Sequence, residues 1–364
     1  MKRNIQKIVS NFKITGDIVN YKKITTGHIN DSYYIKTSSP DHPGYFLQWI
    51  NNYIFKDVNG LMNNIIAVTQ HLAQKLAVHP ELAFKVLEIV PTLEDKKYYL
   101  QLDGQFWRLY KFIDNSHGYD VVENTDIAYE GGKAFGIFMS LLADLPADTL
   151  SETIPDFHNM EKRLGTFYNS LKTNPVDRAK DITAEIEFVK NRAEQMLTIP
   201  ALIKAGKLPM RITHNDTKFN NILFDDTNHA MCIVDLDTVM PGSVLFDFGD
   251  AIRTGANTTA EDEKDLSKVD INLPIYEAYT QGFIKSTEHT LTEVEIYNLS
   301  FSARFMTFII GLRFLTDFLD GDPFFRTQYP DHNLVRARVQ FRLVEQMELN
   351  ADKMRDIVLK SLEK

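Results

Sequence analysis

Apolar positions along the chain follow two periods, and the change from one to the other divides it. Tyr45-Phe46-Leu47-Gln48-Trp49-Ile50 is an apolar, aromatic-rich run behind the turn formers Ser38-Ser39-Pro40-Asp41-His42-Pro43-Gly44, and it reads as a strand. Asp57 is placed to cap a helix whose apolar residues Val58, Leu61, Met62, Ile65, Ile66 and Leu72 fall at helical spacing. Lys97 to Leu102 and Gln105 to Tyr110 flank Asp103-Gly104, a pair that accepts the positive φ a tight hairpin demands. After Ile113 helical patterns take over. Asp126 to Leu145 predicts one helix, and Thr183 to Leu197 another, with Thr183 as cap and Pro200 just past its end. Met231 to Leu236 predicts a short strand, and from Pro274 helices dominate, closing on Val335, Val339, Leu343 and Met347 at four-residue steps. The expected architecture is α+β: a small β-rich lobe over residues 1–112 and a larger, mainly helical lobe over 113–364.

Composition narrows the function. A chain of 364 residues with 44% hydrophobic and 24% charged side chains builds an ordinary core, and disorder is excluded. The net charge of −9 argues against nucleic acid as a partner, because phosphate binding needs a basic excess. One cysteine, Cys232 in an apolar run, excludes an internal disulfide and a cysteine zinc site, and it reads as a buried thiol. The N-terminus shows no signal-peptide core, and no apolar run is expected to reach membrane-spanning length; Phe305 to Leu315 carries Arg313. A cytoplasmic protein without a membrane partner is expected. The pattern leaves the oligomeric state undetermined and favours a monomer.

The informative segment is His214-Asn215-Asp216-Thr217-Lys218-Phe219-Asn220-Asn221, followed nineteen residues after Asp216 by Asp235. Phosphoryl transfer requires a group to orient the attacking hydroxyl, oxygen ligands for Mg²⁺ and positive charge on the transferred group. Asp216 suits the base and Lys218 the charge. The amide of Asn221 and the carboxylate of Asp235 suit the hard cation. The arrangement is the H-x-D-x-x-x-x-N loop of kinases followed by a metal-binding Asp on a strand. Each piece alone is an ordinary polar turn. Their joint spacing, with β-rich sequence before and helical sequence after, favours the kinase.

These residues resemble the aminoglycoside phosphotransferase and choline kinase superfamily, which has a two-lobed protein-kinase-like fold. Longer runs, Gly27-His28-Ile29-Asn30, Arg211 to Lys218, Asp235 to Ser243 and Gly311-Leu312-Arg313-Phe314-Leu315, resemble bacterial N-acetylhexosamine 1-kinases. That resemblance implies transfer from ATP, with Mg²⁺, to the anomeric hydroxyl of N-acetylglucosamine or N-acetylgalactosamine. It implies adenine contacts from the backbone of Tyr110, Phe112 and Ile113. It implies an acceptor pocket with Asp216 and Arg313, to which Asp317 and Phe324 are added. It also implies that Asp247, in Asp247-Phe248-Gly249, braces the catalytic loop; an ordinary loop Asp is the alternative. From pattern alone, Arg313 and Asp317 at i, i+4 read as a surface ion pair.

Two departures stand out. Thr26, Gly27 and His28 occupy the place of a glycine-rich phosphate loop without its spacing. Gln48 stands where a kinase carries the lysine of its third strand; Gln48 can bond a phosphate but brings no charge. Arg108 and Lys111 read as solvated strand ends. Other acceptors, among them an aminoglycoside, choline or homoserine, stay open. So do an inactive nucleotide-binding module and a phosphatase using Asp235-Leu236-Asp237-Thr238-Val239 on a doubly wound sheet.

Overall fold

The computed structural model describes residues 4–25, 29–39, 41–94, 97–287 and 289–363. The chain forms two compact units: one of residues 1–118, 141–155 and 221–241, the other of residues 119–140, 156–220 and 242–364.

The first unit opens with a short helix, α1 (Ile5–Val9), and continues as a five-stranded sheet with the helix α2 (Val58–Val78) between its third and fourth strands. The strands are β1 (Ile18–Ile24), β2 (Asp31–Thr37), β3 (Tyr45–Ile50), β4 (Leu100–Leu102) and β5 (Gln105–Lys111), in spatial order β1-β2-β3-β5-β4. All pairings are antiparallel, so the doubly wound parallel sheet of the phosphatase reading is not built. The predicted hairpin forms at Asp103 and Gly104, with φ of 50° and 72°, and Asp57 caps α2 by accepting from the Gly60 N–H. One face of the sheet buries Ile35, Leu47, Trp107 and Leu109 against Ile5, Val9 and Phe12. A later hairpin joins this unit: β6 (Ile222–Phe224) pairs with β7 (Ala230–Ile233). Phe224 exchanges backbone bonds with His117, and the Met231 carbonyl accepts from the Lys85 N–H at 2.6 Å. Cys232 is buried there, and burial pushes its thiol up to about 12.

The second unit is helical. Its elements are α3 (Thr125–Leu141), α4 (Met160–Thr173), α5 (Thr183–Met196), α6 (Thr198–Lys204), α7 (Val244–Gly255), α8 (Leu273–Thr287), α9 (Glu293–Leu319), α10 (His332–Leu349) and α11 (Ala351–Ser361). Pro200 sits in the first turn of α6 rather than in a loop, where its missing N–H costs nothing; Ile182, not Thr183, precedes α5. The central element is α9, packed by α4, α7, α10 and α11. Thr292 and Glu295 form a capping box at its start, and Arg211 clamps Glu295 through two bonds of 2.6 and 2.8 Å. The expectation that no run reaches spanning length needs correcting. By length and composition α9 qualifies, with a mean hydropathy of 1.3, but 72% of that window is buried, as in a core helix.

Helices α3 and α8 cross through glycines. A Cβ on Gly282 would lie 2.1 Å from the Tyr129 carbonyl oxygen, and one on Gly132 would lie 2.1 Å from that of Tyr279. These are backbone atoms, so the helices themselves must part. Gly282→Ala is therefore expected to destabilise the protein by about 1–3 kcal/mol. Gly165, within α4, has nothing within 4 Å of its Cβ position, and Gly165→Ala should stabilise by about 0.5–1 kcal/mol. Denaturant melts of the two variants should move in opposite directions.

Candidate active site

The site residues fall into two groups, one in each unit. In the helical unit the loop after Arg211–Thr213 carries Asp216. Asn215 adopts φ 63°, a left-handed conformation that Asn tolerates better than most residues. The loop is held from beneath by Asp247, in the first turn of α7. Asp247 Oδ2 accepts from the His214 N–H at 2.8 Å, and Oδ1 accepts from the Asn215 N–H at 2.7 Å. The Thr217 hydroxyl donates to the Asp247 carbonyl at 2.6 Å. Asp247 is thus a brace, and the ordinary-loop alternative is set aside. Burial raises its carboxyl to about 7, although the two N–H groups pull it back. The His214 ring is buried edge-on against Phe135 and Phe138.

Above this base Asp216 is partly exposed, with Lys218 Nζ 2.9 Å from its Oδ1. The Asp216 charge, more than any other, holds the Lys218 ammonium above its usual range, and Asp250 adds to it. Asp250, one helical turn after Asp247, is buried and accepts from Arg253 Nε at 2.8 Å. Neither Asp250 nor His158 was legible as a site residue. His158 Nε2 lies 3.3 Å from the Asn215 carbonyl, and burial pushes the imidazole down to about 4. It is neutral at physiological pH, and its Nε2–H is the donor to that carbonyl.

Arg313 is half-buried in α9, with its guanidinium 5.3 Å from the Phe157 ring and 5.5 Å from the Phe325 ring. Burial, helped by Arg163 and Arg253, lowers it to about 10; Asp250 and Asp216 oppose that shift, and Arg313 stays charged. The expected ion pair with Asp317 does not form. The buried Asp317 carboxylate accepts from the Phe324 and Phe325 N–H groups, each at 2.9 Å, and from Asn333 Nδ2 at 2.9 Å. It holds the turn that presents Phe325 to Arg313. The ring facing Arg313 is therefore Phe325, not its neighbour Phe324, whose side chain is exposed.

The first unit carries the other group. Ile222 pairs with Ile233 at the end of the β6–β7 hairpin, and the Asn221 carbonyl accepts from the Val234 N–H at 2.9 Å. Asn221 and Asp235 therefore stand at the same end of one hairpin. Asn221 is buried and Asp235 exposed. The predicted strand to Leu236 stops at Ile233. Asp235 turns left-handed, at φ 58° and ψ 58°, and Leu236–Thr238 form a 3₁₀ turn. Among the described residues no three His, Cys, Asp or Glu side chains gather into a metal cage. The oxygens of Asn221 and Asp235 are hard donors that leave most of a coordination shell to other ligands.

Arg108 corrects the sequence reading. It is 1% exposed, not a solvated strand end. Its Nε and Nη2 donate to Gln48 Oε1 at 3.0 and 2.8 Å, and Nη1 lies 2.5 Å from Asp237 Oδ1 as an ion pair. Gln48 Nε2 donates to the Ser32 hydroxyl at 3.2 Å, so this amide is engaged on both sides. The interruption of Phe106-Trp107-Arg108-Leu109-Tyr110 by one charge was the available signal. Lys111 is exposed and pairs with Glu88 at 2.5 Å, as a strand-end lysine should. At the end of β5, Tyr110 is buried and Phe112 packs edge-on to Tyr34. The Phe112 N–H already donates to the Gly44 carbonyl, and the Ile113 carbonyl accepts from Ser116 Oγ. Thr26, Gly27 and His28 lie outside the described residues.

A profile of the phosphotransferase enzyme family matches residues 20–277. Among solved structures, a microcompartment-associated aminopropanol kinase is similar at a TM-score of 0.61 and 12% identity, over 96% of this chain and 97% of that one. A spectinomycin phosphotransferase crystallised with ADP and spectinomycin gives 0.59 at 15% identity, over 96% and 98%. A choline kinase from Cryptosporidium parvum gives 0.58 at 13%, over 99% of each. At these identities the likeness speaks for the fold, which is kinase-like, with a β-rich N-terminal part and a helical C-terminal part.

The brace makes a pH prediction. Asp247→Ala strands two buried N–H donors, which should cost about 2–5 kcal/mol in total. Asp247→Asn isolates the titration. The carboxyl titrates near 3.8 in the unfolded chain and is pushed up to about 7 in the folded one. Between those values the folded state holds the proton more tightly. The stability this group contributes is fully present below the lower value and is lost as pH rises through the upper one. The stability of the natural chain relative to the Asn variant should therefore fall from pH 4 to pH 7 and then level off. A relative stability that rises over that window contradicts the assignment.

Proposed function

Because the chain belongs to the phosphotransferase enzyme family, we propose that it transfers the γ-phosphoryl group of ATP to the anomeric hydroxyl of an N-acetylhexosamine. Asp216 takes the proton from the attacking hydroxyl. Lys218, 2.9 Å away, pairs with Asp216 and offsets charge on the transferred group. Asn221 and Asp235 are the protein ligands of Mg²⁺, an ion that commonly takes one or two carboxylates and leaves its other positions to water and phosphate. Bound there, the ion neutralises phosphate charge. Backbone groups of Tyr110, Phe112 and Ile113 that remain open line the adenine.

The observation that carries the acceptor assignment is the charge around Arg313. Asp216 is paired with Lys218 and Asp250 with Arg253, while Arg313 has aromatic faces and, among the described residues, no carboxylate partner. Arg163 and Arg253 add positive charge beside it. A cationic acceptor such as an aminoglycoside or choline is repelled by such a wall. A neutral sugar is not: its hydroxyl and acetamide oxygens accept from the guanidinium, and its apolar face lies against a ring.

Incubation with Mg-ATP and a panel of N-acetylglucosamine, N-acetylgalactosamine, kanamycin, choline and homoserine tests this. ADP should form with the hexosamines, and an equal or better rate with choline or kanamycin would overturn the acceptor assignment. Asp216→Asn should fold normally and lose about 10²–10⁴-fold in kcat. Arg313→Ala should raise the KM for the sugar and lower kcat/KM by roughly 10- to 150-fold, the worth of one charged hydrogen bond, with the KM for ATP almost unchanged. Parallel loss in both KM values would remove Arg313 from the acceptor pocket.

A further inference from the structure

We propose that Arg108 is a positioning residue for the metal-bearing turn: a buried cation that fixes Asp237 and so holds the Asp235 carboxylate where a divalent cation meets it. The proposal rests on the reading of Asp235 as a metal ligand. It accounts for the absence of a lysine at Gln48.

The sheet register sets the arrangement. Ser32, Gln48 and Arg108 stand opposite one another on β2, β3 and β5, in one row across the sheet. Gln48 carries no charge. It donates to Ser32 and accepts twice from Arg108, which aims the third nitrogen, Nη1, at Asp237. The cation of this row thus sits one strand away from the position where a kinase has its lysine. It is 1% exposed, with two of its nitrogens bonded to Gln48 and the third in an ion pair with Asp237. That geometry suits holding a side chain better than gripping a phosphate. Taking a guanidinium and a carboxylate out of water is costly, and only close pairing recovers that cost.

Asp237 is claimed on both oxygens, by Arg108 at Oδ1 and by Asn30 Nδ2 at Oδ2, 2.6 Å away. It is 3% exposed, while Asp235, two residues earlier, is exposed. The turn therefore divides its two acids, one to the core and one to solvent. Asp235 does so with a left-handed backbone, a conformation that strains a non-glycine residue and persists only where the surroundings over-determine it. The anchors are three. The Val234 N–H is bonded to Asn221, and the Val239 carbonyl accepts from Asn64 Nδ2 at 2.9 Å. Between them, the Asp237 side chain ties the turn to the sheet through Arg108.

The test uses the full chain with Mn²⁺ as the probe, read by the electron paramagnetic resonance signal of free Mn²⁺ in the presence of ADP. Arg108→Gln is expected to weaken Mn²⁺ binding by about 10- to 100-fold, the usual effect of losing a group that orients a ligand. ADP affinity measured in EDTA should hardly change. Since Arg108→Gln leaves Asp237 buried and unpaired, the double variant Arg108→Gln/Asp237→Asn is made beside it. Its melting temperature should recover toward the natural value while Mn²⁺ binding stays weak. Natural Mn²⁺ affinity in the folded double variant would show that the pair serves stability alone and overturn the proposal. An equal loss of ADP affinity in EDTA would make Arg108 a phosphate ligand and overturn it too. A natural chain that binds no Mn²⁺ with ADP would instead overturn the underlying reading of Asp235.

Discussion

The loop that carries Asp216 depends on one buried carboxylate. Asp247 lies in the first turn of α7, where the helix N-terminus favours negative charge, and it takes the two N–H groups that the turn at His214 and Asn215 leaves without secondary-structure partners. With those donors satisfied, Asn215 can hold its left-handed conformation and Asp216 is carried out toward solvent. The same helix supplies Asp250 and Arg253 at successive turns. One helix thus braces the loop that carries Asp216 and sets the electrostatics around it.

The first unit solves a similar problem with a cation. Its sheet offers a polar row, Ser32, Gln48 and Arg108, inside an otherwise apolar structure, and the row ends on Asp237. Each unit therefore keeps one Asp buried, Asp247 bonded on both oxygens in one and Asp237 held by an ion pair and one hydrogen bond in the other, and leaves a second Asp more exposed. Buried acids held in this way make their surroundings rigid. The exposed Asp235 and the partly exposed Asp216 have the opposite character.

Much of this was legible in the sequence because the signals were local. The Asp103-Gly104 hairpin, the Asp57 cap and the limits of β3 follow from short-range rules. The loop from His214 to Asn221 was legible because phosphoryl transfer constrains residue types at fixed spacings. What escaped depends on contacts distant in sequence. Arg108 looked solvated because its partners, Gln48 and Asp237, lie 60 and 129 positions away. Phe325 was passed over for Phe324 because the turn that orients the rings is fixed by Asp317 from within α9. His158 carried no local signal, and the membership of residues 141–155 and 221–241 in the first unit has no counterpart in composition.

The acceptor chemistry is the central claim, and it concerns one hydroxyl. Removing that hydroxyl while keeping the acetamide and the remaining ring substituents asks the question directly. Mg-ATP is incubated with N-acetylglucosamine or with its 1-deoxy analogue, and the phosphorus products are followed by ³¹P NMR. The account predicts a sugar 1-phosphate and matching ADP from the first and no phosphorylated sugar from the second. A phosphorylated product from the 1-deoxy analogue, at a comparable rate, would contradict transfer to the anomeric oxygen.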